Sequence, residues 1–127
     1  MFEKEKCIIV TNNDKVLRKY QNSIKIKFVE SYEEVLITTR NFIFDRHRLL
    51  THPQASSLKP NQTPFRSIIV YPSDNSNNLD DVMMIEKAIE VFEKFRKIKE
   101  IPKYEDKIAD DYKTIDLSII DNVIPRL

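Results

Sequence analysis

Apolar residues in this chain fall into short β-rich runs separated by stretches with a helical repeat. Cys7-Ile8-Ile9-Val10-Thr11 is almost continuous in apolar residues, the pattern of a central strand covered on both faces. Asn12-Asn13-Asp14 breaks it and supplies capping side chains for a helix from Lys15 to Asn22, with Val16, Leu17 and Tyr20 on one stripe. Ile24 to Val29 alternates Ile and Lys at first, as a strand does with one open face or at a sheet edge. Ser31 and Glu34 have the spacing of a capping box, and the helix they open carries Val35, Leu36, Thr39, Phe42 and Ile43 on one side.

His47-Arg48-Leu49-Leu50-Thr51 reads as a short strand ending at His52-Pro53, since proline has no amide hydrogen to continue a ladder. Phe65 to Tyr71 is the fourth strand, the richest in β-branched residues, with Pro72 as its stop. Between these two strands lie about a dozen residues with no periodicity, a length that in compact domains points to function or hidden structure. Ser73 to Asn78 is a polar turn, and Leu79 to Lys99 is the longest helix, with Asp80 and Asp81 at its start and Arg96, Lys97 and Lys99 at its end, as the helix dipole favours. Ile85, Ala88, Ile89, Phe92 and Phe95 form its buried stripe, and Pro102 lies just past its end. The tail is ambiguous: Ile115, Leu117 and Ile119 alternate as in a strand, while Leu117, Ile120 and Ile124 fit a helix. There is no internal repeat and no low-complexity segment.

This β-α-β-α-β-loop-β-α order predicts a single α/β domain spanning residues 1–127: a mainly parallel four-stranded sheet packed by helices, plus a C-terminal tail. In open α/β sheets ligands bind beyond the carboxyl ends of the strands. The first strand delivers Thr11, Asn12 and Asn13 to that edge and the third delivers Thr51 and His52; they meet if those strands are parallel neighbours. His47, Ser56, Ser57, Lys59, Asn61 and Thr63 complete the candidate binding set. Hydroxyls, amides, an imidazole and an ammonium in one place suit a small polar or anionic ligand. The same residue types also build turns without glycine by bonding their own backbone, so a purely structural segment is the competing reading.

Composition narrows the chemistry. The chain has 127 residues, 41% hydrophobic and 32% charged, and a net charge of +1, which gives no reason to expect nucleic acid. No apolar run approaches the ~20 residues that span a bilayer, and the N-terminus lacks a signal-peptide core. A single cysteine, Cys7, allows no intrachain disulfide and fits a cytoplasmic setting. Glycine is absent altogether, which excludes the ordinary glycine-rich nucleotide cradles. No metal site and no cofactor are expected: His47 and His52, five apart, point to opposite faces of an extended strand. His52 is the candidate general base if the protein is an enzyme of hydrolase or transferase type, with Lys59 as an electrostatic stabiliser.

Val10-Thr11-Asn12-Asn13, then His47-Arg48-Leu49-Leu50-Thr51-His52-Pro53, then Ser57-Leu58-Lys59-Pro60-Asn61-Gln62-Thr63-Pro64-Phe65-Arg66-Ser67, resemble the GrdX family. The likeness runs over essentially the whole chain, and the central stretch is its specific part. The family is named for genes beside the glycine, sarcosine and betaine reductase systems of anaerobic bacteria, so the resemblance implies a role in amino-acid reductive metabolism without specifying an activity. Its pattern places a glycine before the Ser57 position and a glutamate at the Gln62 position, where this chain has Ser56 and Gln62. The function this implies is an accessory protein that binds a small polar or anionic metabolite, or components of the glycine or betaine reductases, through the 47–66 segment. Enzyme chemistry at His52, and assembly through the C-terminal tail or the long helix, with a homodimer as one form, are the alternatives.

Overall fold

The apolar run after Cys7 is continuous because both faces of its strand are covered. In the computed structural model, which describes residues 2–54, 59–60, 62–74 and 78–127, the strands are β1 (Ile8–Thr11), β2 (Lys25–Phe28), β3 (His47–Leu49) and β4 (Ser67–Pro72), and the helices are α1 (Asp14–Tyr20), α2 (Tyr32–Phe44), α3 (Leu79–Ile98) and α4 (Asp106–Val123). Val10, Ile68 and Val70 face one apolar layer with Val35, Leu36 and Ile43 of α2 and Ile85, Ala88 and Phe92 of α3. Ile9 and Ile69 face the opposite layer with Val16 of α1 and Ile120 of α4. Alternate residues of the same strands thus feed two cores, as a pleated backbone requires.

The sheet is mixed, which corrects the mainly parallel arrangement expected from the sequence. Its order is β2-β1-β4-β3; β1 and β2 are parallel, whereas β4 runs antiparallel to both β1 and β3. The first and third strands point the same way but are not neighbours, because β4 lies between them. The alternation of elements in the sequence implied parallel crossovers, and the irregular 50–66 connection instead acts as a long hairpin that returns the chain from the end of β3 to the start of β4 at the same edge. The chain travels one way across the sheet from β1 to β2 and back the other way from β2 to β3. Right-handed crossovers then place α1 and α2 on opposite faces.

Element limits follow from hydrogen bonds that side chains intercept. β3 stops at Leu49, short of the expected Thr51, because the Thr51 hydroxyl accepts the Ile69 N–H at 3.0 Å in place of a backbone partner. β4 starts at Ser67, not Phe65, because the Asn12 carboxamide takes the Arg66 N–H at 3.0 Å. Pro72 closes β4 as its last residue, opposite His47. The capping box at α2 forms as the spacing predicted, with Ser31 Oγ accepting from Glu34 N and Glu34 accepting from Glu30 N. The ambiguous tail is helical: α4 buries Asp116 and Ile120, and Leu117 and Ile124 pack with them, so the helical spacing prevails.

Both sheet edges are guarded. β2 exposes Lys25 and Lys27, and on β3 the outward Leu49 N–H is taken by the Asp81 carboxylate of α3 at 2.9 Å. α4 is fixed to α1 by ion pairs Lys15–Asp110, Lys113–Asp14 and Lys19–Asp121 at 2.8–2.9 Å. The Lys113 ammonium holds the Asp14 carboxyl below its usual range.

With no glycine in the chain, Arg46 takes a left-handed conformation at φ 59° to turn from α2 into β3, and its carbonyl accepts from Ser73 N at 2.8 Å. An L-residue with a Cβ costs roughly 1–2 kcal/mol there. Arg46→Gly is expected to raise the unfolding free energy by about 0.5–1 kcal/mol in urea melts, the reverse of what glycine does at ordinary positions.

Candidate functional site

The end of β1 spends its polar atoms on the protein itself. Asn12 Nδ2 donates to Pro64 O at 2.7 Å while its Oδ1 accepts from Arg66 N, so this one side chain clamps the strand that enters beside it. Asn13 caps α1 through Oδ1, which accepts from Lys15 N, and its Nδ2 reaches α4, donating to Lys113 O at 2.8 Å and to Asp116 Oδ2 at 3.0 Å. Thr11 Oγ1 accepts from Asn13 N and shares a 2.6 Å hydrogen bond with Ser67 Oγ. Ser67 Oγ in turn donates to Asp116 Oδ2 at 2.6 Å.

Asp116 is therefore the hub of a buried cluster that joins β1, β4 and α4. It is 5% exposed, and burial pushes its carboxyl above the ordinary carboxylate range, against the opposing pull of Ser67, Asn13 and the Arg66 charge. Arg66 is 2% exposed and donates from Nε to the Tyr32 hydroxyl at 3.1 Å, with its guanidinium 5.3 Å from the Tyr32 ring centre. Among the described residues it has no carboxylate within ion-pair distance. Tyr32 itself stacks on Phe92 at 5.3 Å, and burial raises its phenol. Arg66 and Asp116 both line a crevice under Tyr112, Ile115 and Ile119 that is too narrow to hold a water molecule. Asp116, Ser67 and Tyr32 were not among the candidate site residues, although Ser67 closes the family-like stretch and Ile115-Asp116 belongs to the same resemblance. The available signal was a single acid four residues before Ile120, on the stripe that α4 buries.

The loop residues divide between structure and surface. Thr51 is buried and serves β4 as described, and Thr63 Oγ1 accepts from Phe65 N at 3.2 Å in a local turn. His52 is exposed, and its Nδ1 accepts from Gln54 N at 3.0 Å. His47 bonds Asp45 O through Nδ1 and meets the Phe42 ring edge-on, at the opposite end of β3. It is not brought to the carboxyl edge. Ser56, Ser57 and Asn61 lie outside the described residues. Cys7 is fully buried and burial raises its thiol, which leaves it a packing residue. Among the described residues no group of three or more His, Cys, Asp or Glu side chains is placed for a metal ion, and no helix is long and apolar enough to cross a membrane.

Open space lies along the 99–105 segment that links α3 to α4. On one side is a cleft of about 500 Å³ lined by Asn12, Glu30, Tyr32, Phe65, Lys103 and Tyr104. On the other is a groove of about 530 Å³ bounded by Lys59, Gln62, Phe95, Lys99 and Tyr112. Pro102 and Tyr104 stand between them and line both. Of the residues chosen from sequence, Asn12 reaches the first and Lys59 the second.

Two outcomes test the buried cluster. Asp116 binds a proton more tightly folded than unfolded, so its effect on stability declines as pH rises from near its ordinary value of 3.8 through its raised folded value. Asp116→Asn should remove that decline, and thermal midpoints measured from pH 4 to 8 should show a flatter profile than the native chain. Thr51→Val leaves the buried Ile69 N–H without its acceptor and is expected to cost about 1–3 kcal/mol in urea melts, while Thr51→Ser should recover most of it.

Neither the curated proteins nor the solved structures yield a match to this chain. A family model described as GrdX, "GrdX-like protein", matches residues 8–125, from the start of β1 to the turn that follows α4. That span takes in the clamp at Asn12, the 47–66 segment, the buried Asp116 cluster and both clefts, and the chain belongs to the GrdX-like family.

Proposed function

We propose that this protein is an accessory ligand-binding protein of amino-acid reductive metabolism, serving glycine, sarcosine and betaine reductase systems, and that it holds a small polar metabolite in the cleft beside Asn12. The observation that carries the reading is the cleft itself. It lies at the carboxyl edge of β1, with the rings of Tyr32, Phe65 and Tyr104 as apolar walls and one carboxylate, Glu30, and one ammonium, Lys103, on its lining. A lining with one charge of each sign suits a small ligand that carries both. Membership of the GrdX-like family supports the metabolic setting. The segment from 47 to 66 acts in this reading as scaffold: Thr63 holds the turn at Phe65 on the cleft wall, Thr51 secures β4, and Asn12 is positioned by holding Arg66 and Pro64.

The test is a thermal-shift and calorimetric screen of the full chain against amino acids and their N-methylated derivatives. Glu30→Ala and Lys103→Ala, both at exposed positions, should leave the unliganded melting temperature within a degree or so and weaken a binding metabolite about fivefold or more each. A metabolite that binds the native chain and both variants equally would place its site elsewhere and refute the reading.

A further inference from the structure

We propose that the groove on the far side of the 99–105 linker is a second, independent binding site, for a small anion that carries a flat apolar body. Its chemistry differs from that of the Asn12 cleft. Among the described residues two ammonium groups, Lys59 and Lys99, line it and no carboxylate does, although the chain as a whole is close to neutral. The walls between those charges are aromatic and apolar. Phe95 and Ile98 come from α3, Pro102 and Tyr104 from the linker, and Tyr112 from α4. Ile98 is 68% exposed, among the most open large apolar side chains of the molecule, so it offers surface that a bound ring would remove from water. Tyr104 and Tyr112 lie 4.8 Å apart at 36°, a tilted pair that presents ring surface to a third ring.

The groove is also built, not merely open. The Lys59 N–H donates to Gln62 Oε1 at 2.8 Å, and the Gln62 N–H returns to Lys59 O at 2.9 Å, which closes the turn. Tyr104 then donates its hydroxyl to Gln62 O at 2.7 Å and ties that turn to the linker. The Lys59 ammonium rests 5.7 Å from the centre of the Phe95 ring, so the cation is held over an aromatic face inside the groove, and among the described lining residues none is an acid. The Tyr104 phenol is uncharged at neutral pH and does not repel an anion; burial, reinforced by Tyr112, pushes it further up, to about 12. A volume of about 530 Å³ accommodates a single ring with its charged group. A carboxylate, sulfonate or phosphate on an aromatic ring meets all of these features. A bare anion leaves the rings and Ile98 unused, and a neutral ring leaves both lysines unused.

The experiment is an amide NMR titration of the full chain with phenyl phosphate, with inorganic phosphate and phenol as the two half-ligands. Saturable shifts are expected at Lys59, Phe95, Lys99, Tyr104 and Tyr112, with affinity falling as salt is added and each half-ligand binding about tenfold or more weaker. Gln62→Glu retains an oxygen acceptor for the Lys59 N–H while adding a negative charge to the groove, so it should keep the native melting temperature and weaken phenyl phosphate about fivefold or more. Lys99→Ala should weaken it similarly. Absence of saturable shifts, equal binding by either half-ligand, or affinity unchanged in both variants would overturn the proposal. The Lys103→Ala variant separates the two sites. It should leave phenyl phosphate binding intact, and loss of binding in it alone would assign the anion to the Asn12 cleft, where Lys103 is the ammonium on the lining, and refute the second site.

Discussion

The arrangement depends on one buried carboxylate and the donors gathered around it. Asp116 accepts from Ser67 and Asn13, residues 49 and 103 positions away along the chain, and thereby fixes the last helix against the start of β4 and the end of β1. A carboxyl group taken out of water is unfavourable in its charged form, and here two hydrogen bonds and the nearby Arg66 guanidinium offset that in part. The geometry leaves little freedom. With Asp116 turned inward, helical spacing sets Tyr112, Ile115 and Ile119 over the adjoining crevice, and the ion pairs to α1 lock the same rotation from the outside. The last helix is thus held by polar bonds at its centre as much as by the apolar contacts of Ile120.

That clamp decides where a ligand has room. β4 enters between β1 and β3, and the polar side chains at its entrance are consumed in securing it: Asn12 holds Arg66 and Pro64, Thr51 holds Ile69, and Thr11 bonds Ser67. The first of the two spaces opens beside the carboxyl end of β1, at Asn12. The walls of both come largely from the segment joining α3 to α4 and, in the first, from Glu30 to Tyr32 at the entry to α2. Tyr104, which with Pro102 lines both spaces, is tied to the loop by its hydroxyl and to α4 through Tyr112. A ligand in either space touches the linker, the loop or both, so the two long connections of the chain act together.

How much of this could be read from residues alone differs by element. The continuous run at Ile8–Thr11, the Ser31–Glu34 box and the charge gradient along α3 state their structures directly, because periodicity, capping and dipole act within a few neighbouring residues. The direction of β4 is not local information. Thr11 meeting Ser67 instead of Thr51 depends on which strand fills the gap beside β1, and the β-branched run of β4 fits either direction equally. The ends of β3 and β4 shifted for a related reason, since Thr51 and Asn12 replace backbone partners with side chains from distant positions. Asp116 was hidden because a single acid among Ile115, Leu117, Ile119 and Ile120 looks like a solvent-facing residue until the helix is docked. The polarity of the 47–66 segment was visible, but its use was not: most of its described hydroxyl and imidazole groups satisfy backbone, while Lys59 lines an open groove.

The lysines of β2 bear on how such molecules behave when crowded. β2 is the outer strand of the sheet on its side, the position at which another strand could add. Were two copies to approach there head to tail, Lys25 and Lys27 of each would be brought onto one shared face as rows of like charge, which cross-strand pairing disfavours. The two lysines thus set a charge penalty against the edge-to-edge pairing through which sheet proteins assemble into fibres.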